Sequence, residues 1–254
     1  MKKVFTLVLA AFAALGVSAQ YVCTQKGTVL NYERTLTVEG NTETSEIVST
    51  VCEVSTAADG VVTVREQTVS PIPGTVMGKT TEYSVSTYNP ADSTTTLIVA
   101  GEEDSKQSIV EMIKGQAEAA GAVLSDGQIA EIEGNIKVKG ELVLNLSPNM
   151  PDGTKFKNQT LTLTLKMPQG SQIIKINLWE AKIAGREKVT VPAGTFDCLK
   201  VCYLQRTSAG GNVDKSYVTD WYAEGVGTVR SEVATEKNGE PVAVNVLKSI
   251  VKPQ

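Results

Sequence analysis

Four cysteines are the side chains with the most varied possible chemistry in this 254-residue sequence: Cys23 and Cys52 near the start, Cys198 and Cys202 near the end. Thiols form disulfides, bind zinc or stay buried as small apolar groups. The spacing contains no C-x-x-C pair, which disfavours zinc. Cys198 and Cys202 stand four residues apart in a predicted strand, about 13 Å, whereas bridged Cα atoms lie within about 7 Å.

The cysteines therefore predict disulfides between the two ends of the chain, in one of two pairings. Either Cys23 joins Cys198 and Cys52 joins Cys202, or the partners are exchanged. A single Cys23–Cys52 bridge with two free thiols, and four buried reduced thiols, are the alternatives that the spacing leaves open.

Other catalytic chemistry finds little support. The sequence has no histidine, which excludes histidine triads, Cys-His pairs and HExxH zinc sites. The acidic run Glu102–Asp104 precedes a predicted helix, whose N-terminus favours negative charge. Asp126, Glu131 and Glu133 lack the spacing of a calcium loop. We predict no catalytic, cofactor or metal site and no enzymatic activity; a hydrolase that uses two carboxylates is the enzymatic alternative.

Charge and aromatic content argue against nucleic-acid binding. The chain carries 24 Lys and Arg residues against 28 Asp and Glu residues, a net charge of −4, and aromatic residues make up 5%. Proteins that bind nucleic acid need cationic surfaces for phosphates and aromatic surfaces for unpaired bases.

The elements that must position these side chains are mainly strands. Leu161, Leu163 and Leu165 alternate with threonines, the pattern of an antiparallel sheet with one buried face. Turn residues separate twelve predicted strands, near 26–38, 44–56, 60–69, 80–89, 95–100, 136–147, 160–167, 172–191, 196–207, 213–222, 227–236 and 241–250.

One segment has helical periodicity instead. Residues 104–120 place Ile109, Ile113, Ala117 and Ala120 on one stripe, so we predict an amphipathic helix that covers the sheet. A short helical turn near 126–132 follows.

The N-terminus predicts export. Lys2 and Lys3 precede an apolar run over 4–16, and residues 17–19 are small, as in a signal peptide over residues 1–19. Residues 20–254 then form one β-rich domain, periplasmic or on the cell surface and soluble, with a net charge of −6 after the loss of two lysines. Tyr21-Val22 before Cys23 does not match a lipoprotein signal.

Two motifs near the C-terminus resemble a known family. They are V-P-A-G-T-F-x-C at 191–198 and W-Y-A-x-G-V-G-x-V-R at 221–230. Both resemble the TapB-like family of exported bacterial proteins, over about residues 27–250. The resemblance implies a mostly antiparallel, strongly curved sheet or half-open barrel, like periplasmic lipoprotein carriers. It implies no activity.

The second motif supplies candidate ligand-binding residues. Trp221 and Tyr222 are adjacent in a strand, so their rings point to opposite faces. A structural role is the first interpretation; the functional one places them at the mouth of an apolar cavity.

Together these patterns predict an exported envelope protein that binds an apolar or amphipathic ligand, such as a lipid, in the concavity of its sheet. The alternative is a structural or protein-interaction module of the envelope, with a protein partner and no small-molecule site.

Overall fold

The computed structural model describes residues 21–38, 40–71, 79–167 and 170–253, so the signal peptide predicted over 1–19 lies outside the described residues. The described elements, in chain order, are β1 Val29–Val38, β2 Asn41–Thr56, β3 Val62–Pro71, β4 Lys79–Asn89, β5 Thr94–Ala100, α1 Glu102–Ala119, α2 Asp126–Asn135, β6 Ile136–Lys139, β7 Leu142–Leu146, β8 Gln159–Met167, β9 Gly170–Val191, β10 Gly194–Ala209, β11 Asn212–Ala223, β12 Gly227–Ala234 and β13 Ala243–Val251.

All thirteen of these strands belong to one antiparallel sheet. Its order is β6-β8-β9-β10-β11-β12-β13-β1-β2-β3-β4-β5-β7. Most neighbours in the sheet are neighbours in sequence, and β13 returns to pair with β1. The prediction of a mainly β, antiparallel, curved sheet is confirmed, and the sheet is not closed into a barrel.

The prediction of a single strand over 136–147 is wrong, because this segment forms two strands that lie at opposite edges of the sheet. Gly140 and Glu141 separate β6 from β7. Three residue steps span at most about 11 Å, so the two edges must approach each other and the sheet curls almost completely round. Gly140 has φ +86°, and a Cβ there would collide with the carbonyl oxygen of Thr160, so this crossing requires glycine.

A side chain joins the two edges. The Gln159 amide of β8 accepts a hydrogen bond from the Val143 N–H (2.5 Å) and donates one to the Val143 carbonyl (2.6 Å). β7 and β8 are not paired through their backbones. The two side-chain hydrogen bonds take the place of one pair of backbone hydrogen bonds between them.

Both helices contribute side chains to the largest apolar cluster, and the face of the sheet that bears this cluster is here called the inner face. α1 matches the helix predicted over 104–120; its Ile109 belongs to the largest apolar cluster, and its Ile113 packs against that cluster. Its buried side is partly polar, however, since Asp104 and Ser108 are also buried. The predicted second helical turn is the ten-residue α2, which Ser125 and Gln128 cap reciprocally.

The inner face divides into an apolar and a polar part. The apolar part is formed by β5 to β11, whose inward side chains pack together; among them are Leu97, Leu144, Leu178 and Val201. The V-P-A-G-T-F hairpin between β9 and β10 folds back, and the Ala193 N–H donates to the Leu247 carbonyl (3.2 Å). The apolar part of the inner face is therefore occupied by the protein's own side chains.

Candidate functional site

The polar part of the inner face contains three buried charged residues, Arg34 of β1, Glu66 of β3 and Glu82 of β4. We call them the inner charged cluster. Each occupies an inward position of its strand, and the residues Arg34 and Glu66 are only 2% and 1% exposed. Charges this deeply buried are costly unless they are paired or change protonation.

Hydrogen bonds satisfy the inner charged cluster incompletely. Arg34 Nε donates to Asn245 Oδ1 (3.1 Å), and Glu66 Oε2 accepts from Ser49 Oγ (2.9 Å). Arg34 Nη2, Glu66 Oε1 and Thr80 Oγ1 are buried without a hydrogen-bond partner.

Burial sets the protonation of the inner charged cluster. It raises the pKa of Glu66 to about 7, against a smaller lowering by the Ser49 hydrogen bond. It raises the pKa of Glu82 to about 7, where the Arg34 guanidinium opposes it. Burial also lowers the pKa of Arg34, against the opposing effect of Glu82. Both carboxyls are thus poised to change charge near neutral pH.

Two such carboxyls are what a carboxylate hydrolase would need, but the space beside Glu82 is small. The cavity that Glu82 lines with Thr68 and Ser108 measures about 30 Å³. This is room for about two water molecules and not for a sugar or a peptide. The geometry therefore does not favour hydrolysis at the inner charged cluster.

A much larger concavity lies on the opposite, outer face of β9–β12. It measures about 670 Å³, within the usual range for small-molecule sites, and we call it the outer cleft. Buried Leu204 and Ala234, with half-buried Tyr217, form an apolar floor. Charged side chains surround this floor; they belong to Lys155, Glu180, Lys182, Glu232 and Lys237.

Strand register aligns the floor. Leu204, Tyr217 and Ala234 are directly opposed on β10, β11 and β12. A parallel row holds Cys202 and Thr219, whose Sγ and Oγ1 atoms lie 3.5 Å apart. Directly opposed residues point to the same face of a sheet, so two adjacent rows form a continuous surface.

The loop over residues 235–242, here called the strap, lies beside this surface and contributes to its lining. The loop after β12 carries Lys237, whose Nζ lies 3.4 Å from Glu180 Oε2 on β9. In the sheet β10 and β11 separate β9 from β12, a width of about 14 Å, so this ion pair bridges the outer cleft. Glu180 has φ +54°, a kink that Asn158 supports by accepting its N–H (3.2 Å).

The predicted ligand-binding pair is divided between the two faces. Tyr222 is fully buried on the inner face, and its hydroxyl donates to Asp220 Oδ2 (3.1 Å), which Tyr203 also contacts (3.0 Å). Burial raises the pKa of Asp220 to about 6, while the nearby hydroxyl groups of Ser231, Tyr203 and Tyr222 oppose the rise.

Trp221 points to the face opposite Tyr222, two residues beyond Thr219, and is buried in an apolar cluster with Leu30 and Leu247. Its indole N–H donates to Glu187 Oε1 (2.6 Å), and the cationic groups of Lys200 and Arg230 lie 4.9 and 5.7 Å from its ring. Neither aromatic lines the outer cleft, so ligand contact by this pair stays a prediction.

The four cysteines are free thiols in this structure. Cys23 and Cys198 belong to separate apolar clusters, and the strands of Cys52 and Cys202 are five steps apart in the sheet. The bridges between chain ends stay predictions that a mass measurement can decide. No cluster of three or more Cys, Asp or Glu in the described ranges is arranged to hold a metal.

A family model matches residues 25–247, which include both C-terminal motifs. The chain belongs to the DUF3108-like family. The narrower TapB-like resemblance stays a prediction. A comparison with curated proteins found no significant match.

Two solved structures share the fold. One is a proposed lipoprotein from Parabacteroides distasonis, 22% identical, with a TM-score of 0.62. The other is a proposed exported protein with a YmcC-like fold from Bacteroides fragilis, 20% identical, with a TM-score of 0.60. Each match covers 91% of this chain and 98% of the other. Neither helix described here is long and apolar enough to cross a bilayer.

Proposed function

We propose that this protein is an exported envelope protein that binds an amphipathic ligand in the outer cleft. The observation that carries the proposal is a 670 Å³ concavity with an apolar floor and a charged rim. An amphipathic molecule matches both surfaces, since its chain covers apolar groups while its polar end stays hydrated. Export agrees with the predicted signal peptide and with the descriptions of the two similar structures.

The proposed site differs from the one expected from sequence, which was the concavity of the sheet. Packed apolar side chains occupy much of that concavity, and the inner charged cluster would oppose an acyl chain in the polar part. The outer cleft is bounded by strands on one side and by the strap on the other.

Native mass spectrometry of the mature protein, purified without detergent, tests the proposal. We expect an added mass that disappears on denaturation and is recovered by lipid extraction. Thr219→Trp should remove it by filling the outer cleft. Val213→Trp is the matched control, because Val213 lies on the same strand but outside the outer cleft.

A bare polypeptide mass that does not change when amphiphiles are added would overturn ligand binding. It would instead favour the interaction-module alternative, for which an envelope protein partner would have to be found.

A further inference from the structure

We infer that the ligand of the outer cleft is a single-chain amphiphile with an anionic head group, held by Lys155 and Lys182. This inference rests on the proposed function. It concerns the charge of the ligand, which the apolar floor alone does not specify.

The two lysines are placed side by side by the backbone. Lys155 and Lys182 are directly opposed in an isolated antiparallel bridge, and both line the outer cleft. Opposed residues place their Cβ atoms about 5 Å apart on one face, and like charges in that position repel each other. A bound anion between the two ammonium groups would relieve this repulsion.

The acidic residues of the outer cleft do not neutralise this pair, because each has another partner. Glu180 pairs with Lys237 at 3.4 Å, and Glu232 pairs with Arg230 at 2.5 Å. Neither Lys155 nor Lys182 forms an ion pair with any residue that the structure describes.

The result is a local charge opposite in sign to that of the whole chain. Two unpaired positive charges stand at the outer cleft, while the chain has a net charge of −4. Leu204 and Tyr217 of the apolar floor lie on the same face of the sheet as Lys182, so an anionic head group at the lysines leaves the chain beside apolar groups.

The test compares two probes with the same sixteen-carbon chain, palmitate and its neutral monoglyceride, by titration calorimetry below their micellar concentrations. We expect palmitate to bind about tenfold more tightly, the effect of two partly exposed charge pairs. Lys155→Gln with Lys182→Gln should remove this preference, so that palmitate binds the variant no more tightly than the monoglyceride does. Raising the salt concentration should weaken palmitate binding alone.

The matched control is Lys166→Gln with Lys175→Gln, which removes the same charge from exposed positions on β8 and β9 outside the outer cleft. It should keep the preference for palmitate. Equal binding of both probes by the unmodified protein would overturn this inference and leave the proposed function standing. Binding of neither probe would overturn the proposed function itself.

Discussion

The carboxyls of Glu66 and Glu82 tie the stability of this protein to pH. Their folded-state pKa values of about 7 lie above the ordinary value of 4.5, so the folded state binds more protons than the unfolded state. Their protonation therefore stabilises the fold fully below about pH 4.5, and this contribution disappears as the pH rises through 7. Each pKa difference corresponds to a few kcal/mol, on the order of 1.4 kcal/mol per unit.

We expect the free energy of unfolding in urea to be higher at pH 5.5 than at pH 8.5. Glu66→Gln with Glu82→Gln should remove most of the difference, because the amides are neutral at both pH values. A residual slope should come from Asp220, whose pKa is about 6. Glu131→Gln, on exposed α2, is the control and should change nothing. Equal stability at the two pH values would contradict this account.

The adjacent aromatics should differ in what their polar atoms contribute. Tyr222→Phe removes a buried hydrogen bond to Asp220, and we expect the free energy of unfolding to fall by about 1.5–3 kcal/mol. Trp221→Phe removes a bond to the more exposed Glu187 together with part of a large ring, so its cost combines packing and polar terms.

The pKa of the Asp220 carboxyl, followed by NMR, distinguishes the contribution of the Tyr222 hydroxyl from that of the Trp221 indole. Because the Tyr222 hydroxyl stabilises the charged carboxylate, Tyr222→Phe should raise that pKa further. Trp221→Phe should leave it unchanged. A shift of similar size in both variants would show that the two faces are not independent.

At the scale of elements, the side chain of Gln159 joins the two edges of the sheet at a junction here called the seam. Gln159→Ala removes both hydrogen bonds to Val143, and we expect a loss of about 1–3 kcal/mol in the free energy of unfolding. We also expect the Val143 amide to exchange its hydrogen faster in this variant, because its hydrogen bond is lost. Gln172→Ala, on β9, should leave that amide protected. Unchanged exchange at Val143 in Gln159→Ala would show that the seam is held in another way.

Alternation of side chains predicted most elements because each strand has one buried face. Leu161 and Leu163 of β8 point inward, as their spacing indicates. The same alternation runs through 136–147, since Val138 and Leu142 are both buried, and it therefore concealed the break at Gly140. What separates β6 from β7 is the path of the chain over Thr160, a tertiary contact with no periodic signal.

The site residues likewise divide into those that the periodicity of the sequence could predict and those that it could not. Arg34 alternates along β1 with the same period as the buried residues Leu30 and Tyr32. A charged residue on the buried face could therefore have been predicted from the sequence. The outer cleft could not, because Lys155 and Lys182 meet only through a register between segments 27 residues apart. Sequence spacing carries no information about such a pairing.

At the scale of the whole molecule, thiol reactivity can report on the outer cleft. Cys202 lines it, whereas Cys52 lies on β2, outside it, and both are partly exposed. Cys23 and Cys198 are buried, and burial raises the pKa of Cys198 to about 11, which suppresses its reactive thiolate. We expect N-ethylmaleimide to modify Cys52 and Cys202 first, and all four thiols once the protein is unfolded without reductant.

Added palmitate should then slow the modification of Cys202 and leave that of Cys52 unchanged, because only Cys202 lies beneath the proposed ligand. Peptide mass spectrometry measures both rates in one sample, so Cys52 controls for any general tightening of the fold. Equal slowing at both sites would place the ligand elsewhere or indicate a global effect. An intact mass lower by four hydrogens would instead show two disulfides, restoring the linkage between chain ends that the cysteine spacing predicts.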